Sequence, residues 1–517
     1  MPKKKFRVRH RMNGQNSKGN QKRRKYENAS SLPSAPLIFN IPRFSDTAND
    51  AVTTTQPLPV SQQEDKKAMS KSAPYNTDTI MSYRGYTLKK AGEPIDYICP
   101  TTITPKEFFD KYVKRRRPVV LRSSLDHIDK RWKGTKEKWT NDYLCKVAGE
   151  SSVRVEYRDS KRGRFGQGKE RTMKMDEFVS LIKQGDLLHY LTTQDLKVDE
   201  EGRPAMMSSP ISELFDHGDF PLRPSLLQNL IPFNLNLWFG NSEDGSSSGL
   251  HHDFHDNLYI LIRGEKKFRL YSPGDALNMY TQGSVVKVHK NGRINYKGQI
   301  TRADGADVLS DVAMSASHRQ EEAEKDLANA EQALREGKPG AAEWVSQAEK
   351  RLDDALDSVL SVQMEDSGAE AQNDNMSLMD SDAHTTDDKG PLNFCKVNLS
   401  LPTDAIQKEY PKFARAVGTT CKIKSGEMLY LPAGWFHEVT SYSNVTNGGD
   451  ETGGDKNNYG GHMAFNYWFH PPDNLDHIDS FESPYESNFW KEDFKQTIAG
   501  KLESHAEFRS AAGVNPK

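Results

Sequence analysis

Ser248-Gly-Leu-His-His-Asp-Phe-His-Asp-Asn-Leu-Tyr-Ile-Leu-Ile-Arg-Gly-Glu-Lys-Lys-Phe-Arg-Leu-Tyr-Ser-Pro273 sets how the rest of this chain is to be read. It predicts a short strand carrying polar ligands, a second, apolar strand over 258–263, a tight hairpin turn at Gly264-Glu265 and a return strand over 266–271. Side chains alternate across a strand, so His251 and Asp253 share a face while His252 points away. An imidazole and a carboxylate offered side by side are two of the three ligands of a facial triad, the donor set of non-haem Fe(II). The third ligand must come from a distant strand. Leu429-Tyr-Leu-Pro-Ala-Gly-Trp-Phe-His437 offers it: an apolar strand, a Pro/Gly turn, then a histidine.

A histidine and an aspartate two apart are common by chance, and the residues around the pair raise the signal. Lys266 shares parity with Phe268 and Leu270, so its stem is expected to run into the same apolar interior. An unpaired ammonium in a core is costly and calls for an anionic partner. A dicarboxylate co-substrate chelating the metal is such a partner. The plain alternative is a surface lysine beside Lys267 and Arg269.

This constellation resembles the JmjC branch of the Fe(II)/2-oxoglutarate oxygenases, whose pattern is His-x-Asp, a following Asn, Gly-x-Lys and a distal His. His251, Asp253, Asn257, Gly264, Lys266 and His437 match it residue by residue. Ser248 matches the family's Thr or Ser on 2-oxoglutarate, Tyr190 its tyrosine on the co-substrate, and Asn466 and Trp468 the pair lining the pocket after the distal His. The resemblance runs over roughly 94–472, with one long interruption, and is nearest to the JmjC-only protein hydroxylases. It implies a mainly β fold with added helices (α+β): a double-stranded β-helix, or jelly-roll cupin, with a helical N-terminal part and a long helical and acidic insertion. It also implies metal ligation by His251, Asp253 and His437. Lys266, Tyr190 and Ser248 would hold 2-oxoglutarate, and Asn257, Asn466 and Trp468 would surround the site. Three protein ligands leave room for 2-oxoglutarate and O2, and the expected reaction inserts oxygen into a C–H bond of a protein or peptide substrate.

Composition agrees with one domain plus polar additions. Of 517 residues 35% are hydrophobic and 28% charged, a low core content for this length. No apolar run approaches a membrane span and no secretory segment opens the chain, so neither a membrane nor a secreted protein is expected. The four cysteines (Cys99, Cys145, Cys395 and Cys421) are scattered with no CxxC pair, against a disulfide framework or a structural zinc site.

The net charge of -1 hides a segregation. Residues 1–25 are basic with no acidic residue, which reads as a nuclear or nucleo-cytoplasmic address or a nucleic-acid contact, the bland reading being a solvated tail. Ser, Thr, Pro, Asn and Gln then dominate to about residue 90. The expected organisation is a tail over 1–92, a first part of the domain over 93–302, an insertion over 303–390, a second part over 391–475 and a helical segment over 476–517. Thr104 is expected to cap a helix beginning at Pro105. Another helix is expected over 175–182, and Asn291-Gly292 marks a hairpin. Within the insertion, Ala323, Leu327, Ala330 and Leu334, then Ala341, Val345, Ala348, Leu352, Leu356 and Val359, mark two helical faces around Gly337-Lys-Pro-Gly340. Residues 365–388 are acidic. The barrel resumes with an alternating strand over 394–399, and the last strand is expected at 463–469. The helix over 490–502 is of the kind the family uses for packing or for a homodimer.

His251 and His255 lie four apart but lack the Glu of a helical zinc pair, and His255 reads as a loop residue near the site entrance. A zinc cupin isomerase and a degenerate chromatin- or RNA-binding scaffold are the rival classes. Lys266 with Asn466 and Trp468 argues against the first, and the presence of all three ligands with Lys266 against the second. Within the oxygenases, histone lysine demethylation and hydroxylation of a tRNA base stand behind protein hydroxylation.

Overall fold

The computed structural model of the chain describes residues 80–159, 169–196, 205–370, 390–443 and 460–502. The readings of the basic tail and of the acidic run beyond residue 370 lie outside them.

Two sheets face each other. The larger has nine strands in the spatial order β1 (Asp96–Ile98), β2 (Val119–Leu121), β14 (Met428–Leu431), β9 (Asp256–Arg263), β16 (His462–Phe469), β6 (Pro232–Gly240), β5 (His189–Leu191), β3 (Ser152–Tyr157) and β4 (Glu170–Lys174). The smaller has β13 (Gly418–Lys424), β10 (Glu265–Tyr271), β15 (Phe436–Tyr442) and β7 (Ser246–Ser247), with β8 (His251–His252) also paired to β15. A separate hairpin, β11 (Val285–Val288) and β12 (Ile294–Tyr296), turns at Asn291-Gly292, where Gly292 has φ +95°.

The strand chemistry explains the layers. Every residue of β9 is buried, as its unbroken apolar run requires of a strand covered on both faces. β10 alternates half-buried and buried, so only one of its faces is interior. Between the sheets, Phe268, Leu270, Cys421 and Ile423 meet Tyr259, Leu261, Leu429 and Ala464. The outer face of the large sheet packs on a helical layer through Phe108, Trp132, Trp139, Phe178, Phe239 and Phe465. Thr104 caps Pro105–Phe108 with a capping box to Glu107.

Two expectations need correction. The stretch around Gly264 is not a hairpin. β9 pairs with β14 and β16, whereas β10 pairs with β13 and β15. Gly264, at φ +86°, is the corner where the chain leaves one sheet for the other. Residues 394–399 make no strand. Phe394 and Cys395 form isolated bridges to His251 and Thr281, and the alternating burial of this stretch comes from packing against the β11–β12 hairpin. The last strand falls where it is expected, as β16, and lies mid-sheet between β9 and β6.

The insertion holds two long helices, Val308–Arg335 and Ala341–Glu370. Among the described side chains their buried residues are alanines, at heptad spacing in Ala316, Ala323 and Ala330 on one, with Ala333 beside the last, and in Ala341, Ala348 and Ala355 on the other. That heptad spacing keeps a seam of small side chains facing its partner. Leu334 and Leu356, assigned to the buried faces from periodicity, are exposed, while Ala333 and Ala355 beside them are buried. An alanine seam lets the helices approach closely and leaves larger neighbours on its flanks. After the barrel, Trp490 stacks on His470 at 3.5 Å and Phe494 is buried, so the helix Phe489–Leu502 packs onto its own domain.

Candidate active site

Strand register brings the first and third candidate ligands together. His437 on β15 pairs directly with His251 on β8, and their rings lie 4.3 Å apart. Asp253 follows just past the end of β8. Its Oδ1 is 4.0 Å from His251 Nε2 and its Oδ2 is 3.8 Å from His437 Nε2. One donor atom from each residue falls within 4.8 Å of the others.

The two imidazoles are oriented from behind. His251 Nδ1–H donates to the Gly249 carbonyl and His437 Nδ1–H to the Trp435 carbonyl, each at 3.0 Å. This fixes the tautomer and leaves both Nε2 lone pairs facing Asp253, as metal ligation requires. Burial, and then His437, lower the His251 pKa, keeping it neutral. Burial works to raise Asp253, but His437, His251 and the Asn257 amide outweigh it and hold the carboxylate below its ordinary range. The donor set therefore fits a divalent cation with three protein ligands.

The turn that delivers His437 is bolted to the Asp253 loop. Gly434 N–H donates to the Asp253 carbonyl at 2.9 Å, and Ala433 N–H to Asp256 Oδ1 at 2.9 Å. A Cβ at Gly434, which has φ +76°, would stand 1.9 Å from the Gly292 carbonyl oxygen. Asp256 also takes the Tyr430 hydroxyl and a bidentate Arg116, both partners being buried. His252 and Asp256 both face away from the candidate ligands, and His252 Nε2 accepts from Tyr296.

Asn257, Asn466 and Trp468 line the barrel interior. Asn257 donates to Asp253 Oδ2 at 3.2 Å and accepts from Asn466 at 3.1 Å, and Asn466 accepts from Trp238 Nε1 at 2.9 Å. Trp468 stands 6.2 Å from Trp238, and its own Nε1 has no partner among the described residues. Ser248 uses its hydroxyl on backbone, donating to the Gly249 carbonyl and accepting from Val439 N–H. His255 is buried against Phe233 at 4.0 Å, not an open entrance residue.

Lys266 is interior. It is 1% exposed, opposite Ser441 in the β10–β15 register and four residues along from the Leu270–His437 pair. Four residues are about 13 Å of strand. Its ammonium donates to Ser441 Oγ at 2.6 Å and lies 5.9 Å from the Tyr190 ring centre, and no carboxylate pairs with it among the described residues. Burial pushes its pKa down to about 7. Lys267, on the opposite face, is half-buried.

Four neighbours escaped the sequence reading. Trp238 lies on β6 and Ser441 on β15, beyond the 429–437 stretch that carries the distal histidine. Phe394, stacked on His251 at 4.7 Å, comes from a segment read as strand. His462 shares the parity of Ala464, Asn466 and Trp468, a signal available had β16 been started one residue earlier.

A jelly-roll barrel with two histidines and an aspartate at one level and an unpaired lysine deeper in its lumen is the architecture of a 2-oxoglutarate-dependent oxygenase. The Cupin-like domain family model matches residues 105–475, and the chain belongs to this family in its JmjC-only oxygenase branch. It is 33% identical over 463 residues to JmjC domain-containing protein 4 of Schizosaccharomyces pombe, covering 80% of this chain and 92% of that one. It is 23% identical over 350 residues to the human bifunctional peptidase and (3S)-lysyl hydroxylase JMJD7, covering 65% and 77%. Human tRNA wybutosine-synthesizing protein 5 is 26% identical over 193 residues, 36% of this chain and 58% of that one. The protein is an enzyme of the oxygenase class, and the family implies Fe(II) and 2-oxoglutarate.

Proposed function

We propose that the protein hydroxylates a C–H bond in a side chain of a protein substrate, consuming 2-oxoglutarate and O2, with Fe(II) held by His251, Asp253 and His437. One observation carries this reading: the ligand set shares its barrel with Lys266, an interior cation without a carboxylate partner among the described residues. Bound Fe(II) would supply the oxidising chemistry.

The chain's own residues position the reactants. Gly249 and Trp435 carbonyls aim the two imidazoles, and Asn257 orients Asp253. Lys266 binds the distal carboxylate of 2-oxoglutarate, with Tyr190 beside it and Ser248 on the neighbouring edge. Asn466 and Trp468 form the pocket wall. A protein substrate is favoured by the human relative whose name describes a lysyl hydroxylase.

The test is direct. Purified protein given Fe(II) and 2-oxoglutarate in air should form succinate, and Asp253→Ala should abolish it. Proteins captured by Asp253→Ala and then treated with active enzyme should gain the mass of one oxygen atom. Loss of a methyl group instead would establish demethylation, and unchanged succinate formation by Asp253→Ala would reject the ligand assignment.

From their charge alone, residues 1–25 are proposed as a nuclear address. A reporter carrying them should concentrate in nuclei; a cytoplasmic distribution would reject this.

A further inference from the structure

Where β9 turns through Gly264 into β10, three side chains meet at the deep end of the barrel. Lys266 comes from β10, Tyr190 from β5 and His462 from the first position of β16. Two glycines make the space. A Cβ on Gly264 would lie 2.8 Å from His462 Cβ and 2.4 Å from the Tyr442 carbonyl oxygen. Gly240 pairs with both His462 and Tyr190, and a Cβ there would lie 2.7 Å from the Tyr190 ring. Tyr190 and His462 rings are 5.8 Å apart, and Lys266 Nζ is 5.9 Å from the Tyr190 ring centre.

His462 is wholly buried, and neither ring nitrogen has a hydrogen-bond partner among the described residues. Buried polar groups in folded proteins almost always have partners, so a fully orphaned imidazole points to a ligand atom. Among the described residues, the hydrogen-bond acceptor of Lys266 beside it is the neutral Ser441 hydroxyl. Two hydrogen-bond donors that no carboxylate pairs with among the described residues, Glu156 being the acidic group opposite Tyr190 on β3, describe an anion pocket.

We propose that His462 is a second anchor for the distal carboxylate of the co-substrate. One imidazole N–H donates to it from the large sheet while the Lys266 ammonium donates from the small sheet. This rests on the reading of Lys266 given above. Donors from two sheets fix the carboxylate in place, so the pair sets specificity for a 2-oxo dicarboxylic acid over a 2-oxo monocarboxylic acid. His462 is thus a positioning and specificity residue, remote from the metal.

Calorimetry on the full-length Mn(II)-loaded protein, with 2-oxoglutarate and with 2-oxobutyrate, tests this. The second acid keeps the metal-chelating end and lacks the distal carboxylate. His462→Phe should weaken 2-oxoglutarate about tenfold or more, leaving 2-oxobutyrate and Mn(II) affinities as in the wild type. His462→Gln, which retains a donor, should recover part of the preference. An unchanged 2-oxoglutarate affinity in His462→Phe, or an equal loss for both acids, overturns the proposal. Lys266→Ala run alongside separates the two readings. If it abolishes the preference and His462→Phe does not, only the role of His462 falls; if neither changes it, the anchoring by Lys266 falls as well. The unmutated protein gives an independent readout. In its nitrogen-15 histidine spectrum with Zn(II) bound, the His462 resonance should move on adding 2-oxoglutarate and stay still with 2-oxobutyrate. A resonance indifferent to both acids overturns the proposal even if His462→Phe does not fold.

Discussion

Asn257 holds Asp253: its amide donates to the carboxylate at 3.2 Å and is itself held by Asn466 at 3.1 Å. The bond fixes which carboxylate oxygen faces His437. Groups that orient ligands typically matter 10–100-fold to metal affinity. Asn257→Ala should therefore weaken Mn(II) binding by about 10–100-fold, measured by competition with a fluorescent chelator, while the melting temperature changes little. Asn466→Ala, one bond further out, should have a smaller effect in the same direction.

Lys266 gives a pH dependence whose sign follows from its burial. With its pKa pushed down to about 7, it is largely neutral in the free enzyme above that pH. A carboxylate bound beside it favours the ammonium. Binding of 2-oxoglutarate above pH 7 should therefore take up a proton, and affinity should fall as pH rises from about 7 to about 9. Of the groups around it, burial raises Tyr190 and Tyr259, and burial with Lys266 lowers His462, so all three stay neutral in this window. Calorimetry in buffers of different ionisation enthalpy measures the proton. Lys266→Ala should remove the uptake; Lys267→Ala, on the other face of β10, should leave it.

The buried Arg116–Asp256 pair ties the N-terminal part of the domain to the turn before His437. Removing one partner strands the other charge, at a cost of about 3–5 kcal/mol. Asp256→Ala should lower stability by about that amount in urea unfolding, since Tyr430 and Ala433 also lose their acceptor. A change under about 1 kcal/mol would show that the pair is dispensable.

The helical hairpin should be removable only from its own start. Asn291 donates to the Ala303 carbonyl, Trp490 to the Asp304 carbonyl, and Ala306 is buried, so residues 303–306 serve the domain. A protein with 308–389 replaced by a short Gly/Ser linker should retain cooperative unfolding and Mn(II) affinity. One with 303–390 removed should lose several degrees of melting temperature by circular dichroism.

Much of the site was legible because strand parity is local. His251 with Asp253, and Lys266 with Phe268 and Leu270, follow from alternation alone, and the inward face of β10 is as alternation requires. Alternation could not reveal that Gly264 carries the chain between sheets, because a glycine at positive φ serves a hairpin and a corner equally. Nor could it place residues 394–399, whose apolar alternation packs without a ladder. In the insertion, Ala323, Ala330, Ala341 and Ala348 lie on the seam as the period requires, and only at its far ends do Ala333 and Ala355 replace the larger Leu334 and Leu356 beside them.

The sequence by itself determined the donor types, their spacing and the strands that carry them, since these depend on neighbours two to four residues apart. The tertiary structure alone decided that His437 stands beside His251 from 186 residues away, a matter of β15 register against β8. It likewise decided that Asn257, Asn466 and Trp238 form one hydrogen-bonded line, and that His462 shares the Lys266 pocket. Such relations depend on which strands become neighbours and in what register, and that is set by burying the whole lumen at once.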